Sequence, residues 1–148
     1  CEGPPRPGEH IRIRPGTDRL LAAAVIRRLA DGGRIADVLA HCDAGLLLDL
    51  THFLITCVNT GVDPQRELKR LPLERVVEVH ISGMSTQSGV AWDDHAVPAP
   101  AEVFDLLRSV LDLVRPQALT LEYNWSGAFP QAILQQQLLR TRALLAAA

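Results

Sequence analysis

The sequence predicts an α/β fold with a parallel sheet, and three observations support this prediction. Segments 45–49, 76–82 and 118–123 are apolar or rich in β-branched residues, as buried strands are. Stretches with a helical spacing of apolar residues separate these segments. The chain has 148 residues, of which 47% are hydrophobic, and this is enough for one core. Because strands that alternate with helices form right-handed βαβ units, we expect the three strands to be parallel.

The N-terminal part is predicted to contain a loop and two helices. Residues 1–17 are rich in Pro, Gly and Arg, which indicates a loop that leaves a strand end. Thr17 is a suitable N-cap for a first helix that ends at Gly32-Gly33, and residues 34–41 form a predicted second helix. The inward positions of the first helix are Leu20, Leu21, Ala22, Ala24, Val25, Ile26 and Leu29, and those of the second are Ile35, Val38 and Leu39.

Three further helices are predicted between and after the later strands. Asp63-Pro64 begins a short helix that runs through Leu71. Pro100, at a helix N1 position, begins a helix that runs to Val114, and Pro130 begins the closing helix. The predicted inward positions of these last two helices are Val103, Leu106, Leu107, Val110, Leu111 and Val114, and Ile133, Leu134, Leu138 and Leu139. The polar stretch 84–92 is read as a loop that shapes substrate access.

The number of strands leaves two architectures open. Three strands and a strand stub cannot close an eight-stranded barrel, which takes about 250 residues. The sheet is therefore either open or one portion of a barrel whose N-terminal half is missing. The first residue is Cys1 rather than methionine. Together with the small number of strands, this favours missing N-terminal sequence, and we treat residues 1–148 as a single domain.

Composition excludes several classes of protein. The 15 Lys and Arg residues against 17 Asp and Glu residues give a net charge of −2, whereas a nucleic-acid-binding protein would show a basic excess. The three cysteines include no CxxC spacing, so we expect no disulfide framework and a cytoplasmic location. The longest apolar stretch, 45–58, contains Asp49 and His52 and is too short to cross a membrane.

Acidic and imidazole side chains stand where the predicted strands end. The candidates are Asp49 and His52 after the first strand, His80 in the second, Asp93 and His95 in the following loop, Glu122 in the third, and Glu2 near the start of the chain. The carboxyl ends of parallel strands lie at one edge of the sheet, where α/β proteins place their active sites. Burying several anions together is costly without a cation. Carboxylate oxygens with imidazole nitrogens suit Fe, Mn, Zn or Co.

Each candidate also has a structural interpretation. Asp49 alone could be a helix N-cap or turn former, and His80 alone could be a hydrogen-bonded core histidine. Glu122 is harder to explain in this way, because unpaired buried glutamates are rare. Glu78 faces the same side of its strand as His80 and is read as a core or salt-bridged residue. The remaining polar candidates, His10, His41, Cys42, Cys57 and Asn59, are assigned to surface, packing or structural roles.

A family resemblance covers residues 44–130. The segments GLLLDLTHFLITCVNTGVDP, VVEVHISGMS, DDHAVPAP and LTLEYN occur in the order typical of a bacterial family of TIM-barrel multinuclear iron enzymes. That family contains the iron oxidase of methanobactin biosynthesis and the β-carbon-excising enzyme of thia-amino-acid biosynthesis. Glu2 in CEGPP resembles an early strand end of the family. Met84, Ala96 and Asn124-Trp125 depart from its usual pattern.

The resemblance implies a fold, a site and an activity. The fold would be the C-terminal portion of a xylose-isomerase-like (β/α)8 barrel. Glu2, Asp49, His52, His80, Asp93, His95 and Glu122 match the family's metal ligands, and Asp49, His52 and Glu122 would be catalytic. The implied cofactor is two or three iron ions. The implied activity is oxidative modification of cysteine residues in a ribosomally made precursor peptide, assisted by a small partner protein that recognises the leader peptide.

Two other kinds of function compete with this interpretation. Related barrels use similar Glu, Asp and His side chains at strand ends in metal-dependent sugar isomerases or epimerases and in endonucleases. The few basic residues around the candidate site disfavour an endonuclease. The other alternative is a non-catalytic half-barrel that binds metal, which is favoured if the chain begins at Cys1.

Overall fold

The computed structural model describes residues 20–22, 32–124 and 130–148. These residues form one parallel sheet, one hairpin and a set of helices. In chain order the elements are β1 (Leu20–Ala22), α1 (Gly32–Cys42), β2 (Gly45–Asp49), α2 (Leu50–Thr60), α3 (Pro64–Leu68), a 3-10 turn (Leu73–Arg75), β3 (Val76–Ser82), β4 (Met84–Gln87), β5 (Val90–Asp93), α4 (Ala101–Leu111), β6 (Ala118–Glu122) and α5 (Gln131–Ala147).

The sheet has the strand order β1-β2-β3-β6, and all three pairings are parallel. The predicted parallel strands at 45–49, 76–82 and 118–123 are therefore confirmed as adjacent neighbours, with the last ending at Glu122. The register places Asp49 opposite His80, and Ser82 opposite Glu122. Because these residues lie near the carboxyl ends of their strands, the sheet brings three of the predicted site residues to one edge.

The core lies on one face of the sheet, beneath the helices. Leu46 and Leu48 of β2 are buried there, as are Val79 and Ile81 of β3. The helical side of the core consists of Leu39, Leu50, Phe53, Leu54, Cys57, Leu68, Val103, Phe104, Leu106, Leu107, Val110 and Leu111. Each fully buried aliphatic side chain of this size stabilises the fold by roughly 1.5–3 kcal/mol. The residues between the buried ones in β2 and β3 face the other side, where Asp49 and His80 lie.

Helix α2 begins directly at the end of β2, without a connecting loop. Its N-cap is Asp49, whose carboxylate accepts a hydrogen bond from the backbone N–H of His52. Its C-cap is Gly61, with φ of 70°, a left-handed conformation that glycine adopts without strain. The apolar residues of this helix continue those of β2, so the helix was not predicted from the sequence.

The stretch 84–92, read as a loop, contains a β-hairpin. Strands β4 and β5 pair antiparallel, and Ser88 and Gly89 form the two-residue turn with φ of 51° and 78°. Positive φ at both positions matches a type I′ hairpin turn. The Asn59 side chain bonds both backbone groups of Ala91, with the amide nitrogen 2.9 Å from Ala91 O and the amide oxygen 2.8 Å from Ala91 N. Asn59 therefore fixes the hairpin against helix α2.

The prediction for the N-terminal segment was partly wrong. Residues Leu20–Ala22 were assigned to a helix, but they form β1 and pair with β2. A continuous apolar run fits a buried strand as well as a helix, so the pattern alone could not decide. The second helix is confirmed, although it begins at Gly32, where the first helix was predicted to end. Within α1, Leu39 is buried as predicted, whereas Val38 is 49% exposed. The loop at 1–17 and the rest of the first helix lie outside the described residues.

Smaller corrections apply to the later helices. Helix α3 ends at Leu68 rather than Leu71, and α4 ends at Leu111 rather than Val114. The two prolines that were predicted to begin helices, Pro100 and Pro130, are N-caps immediately before α4 and α5.

The predicted inward face of helix α5 is only partly correct. Ile133 and Leu134 are half-buried as predicted, but Leu138 and Leu139 are 38% and 66% exposed, whereas Gln137 is buried. Gln137 faces inward because of a hydrogen bond. The Tyr123 hydroxyl donates to Gln137 Oε1 at 3.1 Å, and this bond orients the helix. Among the described residues, no helix is long and apolar enough to cross a membrane.

Candidate metal centre

Three side chains from three neighbouring strands form the centre of the site. Asp49 ends β2, His80 lies in β3 and Glu122 ends β6, all on the face of the sheet opposite the core. One possible ligand atom of each lies within 4.8 Å of the others. The closest pair is His80 Nδ1 and Glu122 Oε1, at 3.0 Å. Such spacing allows one cation to contact two carboxylates and one imidazole.

A second group of donors continues from Asp49 toward the hairpin. Asp49 Oδ2 lies 2.7 Å from Nδ1 of His52, and the other ring nitrogen of His52 lies 3.5 Å from Asp93 Oδ2. The Asp49 hydrogen bond and the charges of Asp49, Asp93 and Glu122 raise the pKa of His52, against the opposing effect of burial. His52 therefore lies between two carboxylates, one from the sheet and one from the hairpin.

Ser82 and Gly83, at the end of β3, contact Asp93 and the turn that follows Asp93. The Ser82 hydroxyl donates to Asp93 Oδ1 at 2.9 Å. Gly83 contacts the same turn so closely that a Cβ at this position would overlap the backbone oxygens of Asp94 and Val97. On the other side, the backbone N–H of Asn124 donates to the carbonyl of His95 at 2.9 Å. These contacts place the DDH segment beside the end of β6, next to Glu122.

The His95 ring is oriented toward the cluster without a satisfied hydrogen bond. Its Nε2 lies 2.9 Å from Asp93 Oδ2. This nitrogen is buried, however, and forms no hydrogen bond among the described residues. A buried polar nitrogen without a hydrogen bond is unfavourable. A metal ion that accepts its lone pair would remove this penalty, so the donor set fits a metal.

Glu78 lies deeper on the same face, where its carboxylate contacts His80 in its own strand and Thr120 in β6. Its Oε1 is 2.9 Å from His80 Nε2 and accepts a hydrogen bond from the Thr120 hydroxyl at 3.0 Å. The hydrogen bond to His80 lowers the pKa of Glu78, helped by Thr120 and by the charge of His80 and opposed by burial. The salt-bridged interpretation of Glu78 is therefore consistent with its surroundings.

The six predicted site residues that the structure describes form one connected cluster. Asp49, His80 and Glu122 form the sheet part, and His52 joins it to Asp93 and His95. Glu2, the seventh, lies outside the described residues. Asp49 is the N-cap of α2, so its structural interpretation is confirmed, and the cap does not remove it from the cluster. His41 is exposed, which fits its assignment to a surface or packing role, and Cys57 is buried, which fits a structural role.

The six side chains are partly accessible. Their exposed fractions range from 16% for Asp49 to 32% for Asp93 and Glu122. The donor side chains are thus half-buried within the described part of the chain. The oxygen- and nitrogen-rich set suits iron, manganese, cobalt or zinc.

The residues that support this cluster were not predicted from the sequence. Ser82 is fully buried, and its backbone N–H and carbonyl both bond the Thr51 hydroxyl at 2.9 Å. Thr51 thereby joins the first turn of α2 to the end of β3. The position of Ser82, two residues beyond His80 on the same side of the strand, was the available signal. Thr120 could have been recognised in the same way, because it lies two residues before Glu122 on the same side of β6.

The fold and the donor set define an α/β protein with a carboxylate–imidazole cluster at the carboxyl ends of a parallel sheet. Residues 22–146 match the model of the family described as RiPP precursor modification enzyme MbnB/TglH/ChrH. The chain therefore belongs to this family, as the resemblance predicted.

Several curated relatives are described as UPF0276 proteins. The one from Streptomyces avermitilis is 32% identical over 94 residues, which cover 64% of this chain and 19% of the relative. The one from Chromobacterium violaceum is 27% identical over 118 residues, covering 80% and 42% of the two chains. The one from Bordetella parapertussis is 34% identical over 117 residues, covering 76% and 40%. The chain thus spans less than half the length of these relatives.

Proposed function

We propose that this chain is the C-terminal portion of a TIM-barrel enzyme that uses two or three iron ions to oxidise cysteine residues of a ribosomally made precursor peptide. The observation that carries the proposal is a connected cluster of three carboxylates and three imidazoles, in a chain that belongs to a precursor-modifying family. Three strands, the first turn of α2 and the end of the hairpin contribute these side chains. The β1-β2-β3-β6 order is consistent with consecutive βα units of such a barrel.

The roles of the side chains follow from their charge and position. Asp49 and Glu122 offer carboxylate oxygens that offset the charge of bound cations, and His80 adds an imidazole nitrogen. Asp93 and His95 form a second pair, with His52 between the two groups. The span of this cluster supports more than one ion. When bound, iron supplies the redox chemistry, while these residues hold it and leave positions open for the substrate.

The hairpin is the proposed route of the peptide to the site. Asp93 is its last residue, and Trp92 beside it is 53% exposed, as Val90 is at 43%. Exposed aromatic and aliphatic side chains next to polar donors are typical of peptide-contact surfaces. A small partner protein that recognises the leader peptide would present the core peptide here. Met84, where the sequence departs from the family pattern, pairs with Asp93 and packs against the core, on the face of the hairpin opposite Trp92.

The test is the iron content of the full-length protein, prepared anaerobically, for wild type, His95→Ala and Glu122→Ala. We expect His95→Ala to lose at least one ion without unfolding, because a turn residue contributes little to the core. Glu122→Ala should lose more, because Glu122 belongs to the central group. The matched controls are His41→Ala and Glu102→Ala, both at exposed positions on helices.

A second assay compares the mass of the precursor peptide before and after incubation with the iron-loaded protein, its partner and oxygen. In the iron measurement, equal content in the wild type and all four variants would contradict the proposed ligands. Isomerisation of a sugar by the zinc-loaded protein, with no change in peptide mass, would contradict the oxidase activity and favour the metal-dependent isomerase class. Wild-type protein that binds iron but changes no peptide would favour a non-catalytic metal-binding module.

A further inference from the structure

His80 has two ring nitrogens, and its neighbours distinguish them. His80 forms the central group with Asp49 and Glu122, and its Nδ1 lies 3.0 Å from Glu122 Oε1. Its Nε2 lies 2.9 Å from Glu78 Oε1, and Glu78 is not a member of that group. Both neighbours are carboxylate oxygens, which can only accept a hydrogen bond, but only the contact with Glu78 has the geometry of a hydrogen bond. That hydrogen bond places the proton of a neutral ring on Nε2. The lone pair of Nδ1 is then available to a metal.

Glu78 is itself held in place from the neighbouring strand. The Thr120 hydroxyl donates to the same oxygen, Oε1, at 3.0 Å. The register of β3 and β6 places Thr120 directly opposite His80, so the contact depends on the sheet rather than on a mobile loop. The exposed fraction of the Glu78 side chain is 21%, which limits competition from water. The carboxylate therefore has a defined position relative to the ring.

We propose that Glu78 is a positioning residue that selects Nδ1 of His80 as the metal-binding nitrogen. The inference rests on the metal site of the proposed function but not on its reaction. A carboxylate that accepts the second ring N–H of a metal-bound histidine fixes the tautomer and the ring orientation and raises the basicity of the ligand nitrogen. Thr120 acts on the metal site one contact further away, because its hydroxyl orients the Glu78 carboxylate.

The experiment uses the full-length protein and two probes, Fe²⁺ alone for affinity and Zn²⁺ alone for spectroscopy. Anaerobic titration gives the Fe²⁺ dissociation constant. With ¹⁵N-labelled histidine, NMR of the Zn²⁺-loaded protein identifies which nitrogen of His80 binds the ion and which carries the proton. A loss of general stability would not change the choice of nitrogen, so this second measurement separates positioning from a structural role.

For Glu78→Ala we expect roughly 10–100-fold weaker Fe²⁺ binding, the usual effect of removing such an outer partner. The His80 spectrum should show ligation by both nitrogens instead of Nδ1 alone. Glu78→Gln keeps an oxygen acceptor and should restore ligation by Nδ1 with a smaller loss of affinity. Thr120→Val keeps the side-chain shape, removes the hydroxyl and should weaken binding a few-fold. The matched control is Glu74→Gln, an exposed glutamate just before β3, which should behave as wild type.

Several results would overturn the proposal. Unchanged affinity and pure Nδ1 ligation in Glu78→Ala would show that Glu78 does not select the nitrogen. A smaller number of bound ions in Glu78→Ala would make Glu78 a ligand rather than a positioning residue. If Glu78→Ala fails to fold, the Gln and Val variants decide the question. Wild-type protein that binds neither ion would refute this proposal and the proposed function together. Normal metal binding without peptide oxidation would refute the proposed function alone.

Discussion

Asp49 contacts His52 through both of its carboxylate oxygens. Oδ1 accepts the backbone N–H of His52 at 2.8 Å, and Oδ2 lies 2.7 Å from Nδ1 of its ring. The first contact begins helix α2, and the second orients an imidazole of the proposed metal site. One side chain therefore serves the fold and the site at once, and the two roles can be separated by substitution.

We predict that Asp49→Asn separates these two roles. Asparagine is an N-cap as good as aspartate, so the free energy of unfolding of the metal-free protein should stay within about 0.5 kcal/mol of wild type. Iron content should nevertheless fall, because the amide carries no charge. Asp49→Ala should lose iron and also about 0.5–2 kcal/mol of stability. Denaturant unfolding of metal-free protein and iron analysis measure the two effects. Full iron content in Asp49→Asn would argue against Asp49 as a ligand.

We predict that Gly83→Ala damages the site while the sheet stays folded. The added Cβ would overlap the backbone oxygens of Asp94 and Val97, so the turn that carries His95 must move. Iron content should fall, with little change in far-UV circular dichroism. Gly61→Ala is the matched control. It forces a non-glycine residue into positive φ in open space and should lose about 1–2 kcal/mol of stability while keeping its iron. Equal iron loss in both variants would mean that destabilisation alone explains the effect.

Asn59→Ala should loosen the hairpin. The substitution removes both hydrogen bonds to the Ala91 backbone and leaves these groups without a protein partner, which is unfavourable by about 1–3 kcal/mol. Hydrogen exchange of the Ala91 amide, followed by NMR or mass spectrometry, should accelerate. Thr60→Ala, the next residue in α2, removes hydroxyl bonds that stay within its own helix and should leave that exchange unchanged. An unaltered Ala91 exchange rate in Asn59→Ala would contradict this role of Asn59.

Cys57 should be protected from thiol reagents by burial. Burial raises its pKa from 9.0 to about 11, with help from the charges of Glu67 and Asp63. At pH 8 the thiolate fraction is then about 100-fold below that of an ordinary thiol, and labelling of the Cys1→Ser variant should modify Cys42 long before Cys57. The raised pKa favours the folded state fully below pH 9, and this contribution is lost as the pH rises from 9 to about 11. Equal labelling rates for the two cysteines in native protein would contradict the prediction, whereas equal rates are expected in denaturant.

Much of the fold was predictable because its strands are strongly patterned. Residues 45–49 and 76–82 have no plausible helical period, and their neighbours begin with clear helix signals. The run at Leu20–Ala22 was not predictable, because only its pairing with β2 distinguishes it from a helix. The hairpin did have a signal, a Ser-Gly pair between two short segments that allow strand, but polar residues such as Thr86 and Gln87 concealed it.

The donor residues of the candidate site could be predicted from the sequence, whereas the residues that hold them in position could not. Donors such as His80 and Glu122 stand out because ionisable groups in apolar strands require a partner. Ser82 and Thr51 have no such distinction in a sequence, since hydroxyl groups are common and neutral. Their contact joins residues separated by 31 positions, and only the folded chain brings them together. The Leu138 and Leu139 error has the same origin, because the Tyr123–Gln137 bond decides which face of α5 is buried.

The contacts around the site differ in how far apart their residues are along the chain. Asp49 and His52 are three positions apart, so this pair can form whenever the first turn of α2 forms. Glu78 and Thr120 are 42 positions apart and meet only after β3 and β6 have paired. The cluster therefore combines an early, local step of folding with a late, non-local one. Metal affinity measured during refolding would consequently rise in two phases and would report when the sheet becomes complete.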